Sequence, residues 1–227
     1  MLPDVPVHIV HRGNNRQACF YTDADRAFYL LHLRRLVGLM CCRLHAYCLM
    51  SNHVHLLITA PDEKSCGQLM RRVAQLHSQY MNRTHERSGS LWEGRYRSCL
   101  VQSENYVLAC YRYIDSNPIR AGICKDPRDF DWSSYRANAG IQSEGGLMPH
   151  EEYLRLGSSA NDRAQAYVRL FASDPRYWRV DEIRKATNGN LALGNEFFKR
   201  QLAARLGRRV EPGKSGRPSA KETVVRP

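Results

Sequence analysis

Two histidines that lie two positions apart are the first residues of this chain with an obvious capacity for chemistry. They belong to the stretch Ser51-Asn52-His53-Val54-His55-Leu56-Leu57. Side chains alternate between the faces of a β-strand, so a strand here places His53 and His55 on one face and apolar residues on the other. Two imidazoles on one face can bind a metal ion. The motif is short and most such pairs bind nothing, so two ordinary histidines are the alternative.

A tyrosine and an asparagine farther along the chain can complete such a site. The segment from Tyr106 to Pro118 has a helical pattern, and Pro118 predicts that the helix ends near Ser116. Tyr113 and Asn117 are four residues apart, so we expect them to share a face of this helix. The apolar residues of the helix form a continuous core stripe without Tyr113, so packing into the core does not explain this tyrosine. An ordinary half-buried core tyrosine is the alternative.

Together these residues suit one kind of DNA nuclease. A divalent metal held by two imidazoles and an amide oxygen polarises the scissile phosphate. The tyrosine hydroxyl attacks phosphorus and leaves the enzyme joined to DNA through a phosphotyrosine, so the strand can be passed to another end. Mg²⁺ and Mn²⁺ are both compatible with this ligand set, and Mn²⁺ tolerates nitrogen ligands better.

The composition favours a polyanionic partner. The chain has 227 residues and a formal net charge of +12, which indicates nucleic acid or an anionic membrane surface, with a merely solvated basic surface as the alternative. We find no signal peptide and no run that could span a membrane, and we therefore expect a cytoplasmic protein. The eight cysteines include no C-x-x-C pair, so we interpret them as reduced core thiols rather than zinc ligands.

The elements that must position these residues follow an α+β pattern. A strand over residues 5–10 precedes a helix that Asp23 or Thr22 can cap and that ends near Gly38. A hairpin then joins residues 43–50 to the strand of the two histidines. A helix over 64–84, a strand over 96–101 and the helix of Tyr113 follow. This order predicts a ferredoxin-like antiparallel sheet with helices on one face.

We divide the chain into three parts. Residues 1–143 form the sheet domain, 144–211 a helical C-terminal region and 212–227 a disordered basic tail. The turn Asn188-Gly189-Asn190 joins predicted helices over 180–187 and 193–206, which would suit a helix-turn-helix. A small helical cap without a DNA role is an equal alternative.

Four segments of the chain resemble the HUH-superfamily tyrosine transposases of bacteria, especially the REP-associated tyrosine transposases. They occur in the family's order and at its spacing, over about residues 5–140. The segments are His8-Ile9-Val10-His11-Arg12-Gly13-Asn14, Met50-Ser51-Asn52-His53-Val54-His55-Leu56-Leu57, Trp92-Glu93-Gly94-Arg95-Tyr96-Arg97-Ser98 and Tyr113-Ile114-Asp115-Ser116-Asn117-Pro118-Ile119-Arg120-Ala121-Gly122.

The resemblance assigns roles to individual residues. It implies that His53 and His55 hold the metal, that Tyr113 is the nucleophile and that Asn117 completes the metal site, where insertion-sequence relatives have glutamine. It also implies a ferredoxin-like fold in residues 1–143 and cutting of single-stranded DNA at hairpins or repeated palindromes. The helices after about residue 150 are absent from the smallest relatives, and their role stays open.

Basic residues near these motifs are candidates for contacts with DNA, because single strands are bound in basic grooves. For each of them a solvated surface charge is the alternative. The candidates are Arg12, Asn14, Arg95, Arg97 and Arg120.

The sequence therefore predicts a metal-dependent single-stranded DNA endonuclease and strand transferase, with Mg²⁺ or Mn²⁺ as cofactor and hairpin DNA as partner. Whether it acts as a monomer or a homodimer is open. One alternative is a hairpin-binding protein derived from a transposase that no longer cuts. Another is a replication initiator or plasmid relaxase of the same superfamily, for which the chain is short.

Overall fold

A five-stranded sheet forms the centre of the fold. The computed structural model describes residues 2–172 and 179–213. Neighbouring strands pair antiparallel, except that β5 runs parallel to β4. The order across the sheet is β2-β3-β1-β4-β5, which for the first four strands is the predicted ferredoxin-like order. The strands are β1 (Pro6–Arg12), β2 (Arg43–Leu49), β3 (His53–Thr59), β4 (Arg97–Val101) and β5 (Ala192–Leu193).

The helices connect these strands and then continue beyond them. Two short 3-10 helices cover Asn14–Arg16 and Pro127–Asp129. None of the described helices combines the length and apolar character that crossing a membrane requires. The α-helices are α1 (Asp23–Leu39), α2 (Ser65–Thr84), α3 (Ser103–Asp115), α4 (Asn117–Arg120), α5 (Tyr135–Asn138), α6 (Glu151–Leu154), α7 (Ala160–Ala172), α8 (Val180–Asn188) and α9 (Glu196–Leu206).

Helices α1 and α2 cover one face of the sheet. Thr22 caps α1: its side chain accepts a hydrogen bond from the Asp25 backbone, and the Asp25 carboxylate accepts one from the Thr22 backbone. Leu33 of α1 and Val73 of α2 are fully buried against apolar residues of the strands, among them Leu56. The predicted cap and the inward apolar face of the histidine strand are both confirmed.

The opposite face of the sheet is also covered by helices. Its apolar side chains, such as Leu57 and Cys99, belong to a second core with Val107 of α3, Tyr167 of α7 and Ile183 of α8. The α+β class is confirmed, but the prediction of helices on one face is too narrow. The physical reason is that the second face is apolar as well and must be buried.

The last part of the described chain joins the sheet. The predicted turn at Asn188 to Asn190 leads into β5, and α9 begins at Glu196 rather than at residue 193. The backbone N–H of Gln102 donates to the carbonyl of Leu193 at 2.8 Å, next to β4. The two helices of the predicted helix-turn-helix are therefore separated by a strand of the sheet. The predicted basic tail lies, from residue 214 on, outside the described residues.

We expect Ile183→Ala to destabilise the whole fold, because Ile183 of α8 is fully buried in the core beneath α3. Loss of the side chain should lower the free energy of unfolding by about 2–5 kcal/mol. Urea unfolding followed by fluorescence should show one transition at a lower midpoint. Arg205→Ala, at an exposed position of α9, is the matched control and should leave the midpoint in place. An unchanged main transition with a separate early one would contradict the expectation.

Candidate active site

The strand of the two histidines and the helix of Tyr113 meet on the second face of the sheet. His55 on β3 is buried and His53 is half-buried, and their ring centroids are 4.9 Å apart. The ring centroid of Tyr113 on α3 lies 5.6 Å from that of His55, with the ring planes at 78°. Two elements far apart in the sequence thus bring the metal candidates and the nucleophile candidate into one place.

These side chains line a cavity of about 260 Å³. The predicted site residues that line it are His53, His55, Tyr113, Asn117, Arg12 and Arg120. The structure does not place Asn14, Arg95 or Arg97 in this cavity. Arg95 and Arg97 line a smaller neighbouring cavity together with Arg12, and Asn14, in the first 3-10 helix, lines neither cavity.

Both histidines have one ring nitrogen engaged. Nδ1 of His53 lies 2.6 Å from Oδ1 of Asn52, and Nδ1 of His55 lies 3.0 Å from Nε2 of His8 on β1. Since the Asn52 oxygen can only accept, His53 donates from Nδ1 and keeps its lone pair on Nε2. Among the described residues, no hydrogen bond reaches Nε2 of His53 or His55. These two atoms are available to a ligand in the cavity.

The imidazoles are held in their neutral form. Burial lowers the pKa of His53 to about 4 and that of His8 to about 3, and it lowers the pKa of His55 well below its ordinary value. The nearby positive charge of Arg120 adds to the effect in all three. Neutral imidazoles carry the lone pair that a metal ion needs.

Asn117 and Arg120 form the end of the cavity next to Tyr113. Asn117 lies just beyond the end of α3, where its Nδ2 donates to the carbonyls of Tyr113 at 3.0 Å and Ile114 at 3.1 Å. Its Oδ1 accepts from Nη2 of Arg120 at 2.8 Å. Asn117 therefore lies one turn after Tyr113, as predicted, but its oxygen already has a cationic partner.

The guanidinium of Arg120 is itself enclosed. It stacks on the ring of Tyr113, with 4.2 Å from Cζ to the ring centroid, and it donates to the Tyr113 carbonyl. Burial lowers its pKa. Within the described residues, no carboxylate forms an ion pair with Arg120. A half-buried cation without an acidic partner is suited to bind an anion such as a phosphate.

The donor set fits a divalent metal in part. The described part of the chain contains no group of three or more His, Cys, Asp and Glu side chains that could hold an ion. The available donors are two oriented, neutral imidazoles and the amide oxygen of Asn117. That oxygen accepts a hydrogen bond from Arg120 with one lone pair and has a second lone pair for a metal. Such a set leaves coordination positions for phosphate oxygens and water, and its two nitrogens suit Mn²⁺ better than Mg²⁺.

Helix α8 lines the cavity from the other side. Arg184, Thr187 and Asn188 lie there, spaced so that they share one face of the helix. No pattern in the sequence connected them with the histidines, and His8 of β1 had no predicted role. The signal was weak: a polar face on a helix is normally solvent-exposed, and only tertiary packing shows that this one meets a cavity.

Comparisons of the sequence with known families and proteins both find transposases. The family model described as "Transposase IS200 like" matches residues 2–117. A Haemophilus influenzae protein with the provisional name REP-associated tyrosine transposase is 24% identical over 102 residues, which cover 40% of this chain and 57% of that protein. The match thus spans little more than half of the relative's length.

One solved structure shows the same fold over part of the chain. The structure described as a REP-associated tyrosine transposase bound to a REP hairpin aligns with a TM-score of 0.53 at 15% identity, covering 66% of this chain and 84% of that one. A Deinococcus radiodurans protein provisionally described as a transposase aligns with a TM-score of 0.37 at 16% identity, covering 54% and 88% of the two chains. At these identities the first alignment shows a shared fold.

Proposed function

The chain belongs to the IS200-like transposase family, and from this premise we propose that it cuts and rejoins single-stranded DNA in the cavity of His53, His55 and Tyr113. The observation that carries the proposal is the position of Tyr113, whose ring centroid lies 5.6 Å from that of His55. Metal ligands alone would suggest hydrolysis by water. A tyrosine beside them suggests covalent transfer of a DNA strand.

Each residue has a proposed role. His53 and His55 would hold a divalent ion through Nε2, with the oxygen of Asn117 as a third ligand. Mn²⁺ or Mg²⁺ is the proposed cofactor. A divalent ion, when bound, polarises the scissile phosphate. Arg120, which lacks an acidic partner among the described residues, neutralises a phosphate oxygen.

Tyr113 carries out the covalent step. Its phenol oxygen attacks phosphorus and loses its proton, and the bond from phosphorus to the preceding 3′ oxygen breaks. One DNA end leaves as a 3′ hydroxyl, and the other stays on the protein as a 5′-phosphotyrosine. Attack by the 3′ hydroxyl of another strand reverses the step and frees Tyr113. All the proposed groups belong to one chain here, so no second subunit is needed to complete the cavity.

The proposed partner is single-stranded or hairpin DNA. The net charge of +12 favours a polyanion. Basic residues continue from the cavity to its neighbour, since Arg12 lines both and Arg95 and Arg97 line the second. Arg184 adds a guanidinium on the side of α8. The solved relative bound to a REP hairpin supports a hairpin as substrate.

One observation favours a second candidate, a hairpin-binding protein that does not cut. The Asn117 oxygen accepts a hydrogen bond from Arg120, so a metal would have to share that oxygen with a cation. Binding of hairpins that is equal with and without Mn²⁺, together with no cleavage of any hairpin tested, would support this candidate.

We expect Tyr113→Phe to abolish covalent attachment to DNA, because phenylalanine has no oxygen to attack phosphorus. Purified protein is incubated with Mn²⁺ and a 3′-labelled hairpin taken from repeated palindromes that flank the gene. On a denaturing gel, the wild-type protein band should carry the label and the variant band should not. Tyr106→Phe, on the same helix and half-buried, is the matched control and should keep the label. Label that survives Tyr113→Phe and vanishes in Tyr106→Phe would move the nucleophile to Tyr106.

We expect Arg95→Gln to weaken DNA binding without regard to sequence, because Arg95 is exposed at the basic cavity beside the site. The slope of log affinity against log salt should fall by about 0.7–1, as for the loss of one phosphate contact. Fluorescence anisotropy with a labelled hairpin at several salt concentrations measures this slope. Arg205→Gln, an exposed arginine on α9, should leave it unchanged. Equal slopes for Arg95→Gln and wild type would remove Arg95 from the DNA surface.

A further inference from the structure

The hydroxyl of Thr187 on α8 lies at the end of a buried chain of hydrogen bonds. Its Oγ1 is 2.8 Å from the carbonyl oxygen of Ile183, 2.8 Å from Nδ1 of His8 and 3.2 Å from Sγ of Cys99. Nε2 of His8 is in turn 3.0 Å from Nδ1 of His55. Thr187, His8 and His55 are all buried, so water does not compete for these contacts.

The donor of each hydrogen bond in this series can be assigned by starting from Thr187. A carbonyl only accepts, so the single proton of Thr187 goes to Ile183, and Oγ1 must accept from His8. Neutral His8 then carries its proton on Nδ1 and its lone pair on Nε2. That lone pair accepts from Nδ1 of His55, which leaves the lone pair of His55 on Nε2, the atom available to the cavity.

We infer that Thr187 and His8 are positioning residues, which fix the tautomer of His55 so that Nε2 offers a lone pair to the cavity. The inference rests on the proposed function insofar as His55 is taken as a metal ligand. The partners behind a metal-binding histidine commonly set its tautomer and orientation in this way. Here the deciding group is a threonine on α8, outside the segment that matches the family model.

His53 provides an internal comparison. Its tautomer is set by the adjacent side chain of Asn52, at 2.6 Å, and does not involve α8. A change at Thr187 should therefore act on His55 and leave His53 as it is. A general loss of structure would affect both histidines.

Thr187→Val is the decisive variant, because valine has the shape of threonine but cannot accept a hydrogen bond. His8 then loses the acceptor for its Nδ1 proton and can place the proton on Nε2. It would donate to Nδ1 of His55 and so put the His55 proton on Nε2, where it blocks a metal. Thr187→Ser keeps the hydroxyl and should behave as wild type. Cys99→Ala removes a neighbouring contact of Thr187 and should also leave the tautomer unchanged.

The experiment reads tautomers by long-range ¹H–¹⁵N NMR of histidine-labelled, metal-free protein. Wild type, Thr187→Ser and Cys99→Ala should show the His55 proton on Nδ1, and Thr187→Val should show it on Nε2 or divided between the two nitrogens. His53 should keep its proton on Nδ1 in all of them. Mn²⁺ titration followed by electron paramagnetic resonance should show affinity about 10-fold or more weaker for Thr187→Val, restored in Thr187→Ser.

A wild-type His55 with its proton on Nε2 would overturn the inference, and this result does not depend on whether Thr187→Val folds. An unchanged tautomer and unchanged Mn²⁺ affinity in a folded Thr187→Val protein would overturn it as well. Both readouts use protein without DNA. A failure of covalent transfer at Tyr113 would therefore be a separate result.

Discussion

Buried imidazoles impose the constraint on which the site depends. A polar group removed from water must find a hydrogen-bond partner or a ligand. Both ring nitrogens of His8 are satisfied, by His55 and Thr187, and Nδ1 of His55 is satisfied by His8. The one atom left over, Nε2 of His55, belongs to a residue that lines the cavity. Burial thus keeps the rings of His8 and His55 neutral and leaves Nε2 of His55 as the one ring nitrogen of this pair that can bind a ligand.

The register in which β1 pairs with β3 determines that His8 and His55 lie side by side. Val10 pairs with His55 and His8 with Leu57, so His8 and His55 are diagonal neighbours on one face of the sheet. A slip of one residue in either strand would turn its histidines to the opposite face, which is filled by α1 and α2. Packing of the first face against α1 and α2 therefore fixes which side chains lie on the face of the histidines. Covering that second face requires α3, which brings Tyr113, and α8, which brings Thr187.

Local patterns were sufficient for much of the fold and for part of the site. The period of two placed His53 and His55 on one face, and the spacing of Tyr113 and Asn117 placed them one turn apart. The contact between His8 and Thr187 was not predictable, because the two residues are separated by 179 positions and each looks ordinary in its own segment. The two-residue strand β5 is too short for any periodicity. The engagement of Asn117 by Arg120 depends on side-chain conformations that the sequence does not specify.

In the proposed site, His53 and His55 present their Nε2 atoms to one metal ion beside Tyr113. Electron spin echo envelope modulation of the protein loaded with a single equivalent of Mn²⁺ tests it directly, because it detects nitrogen bound to the ion. Two coordinated imidazole nitrogens are predicted for the wild type, and one each for His53→Ala and His55→Ala. Bound Mn²⁺ without imidazole coupling, or coupling that persists unchanged in both variants, would rule out coordination by His53 and His55.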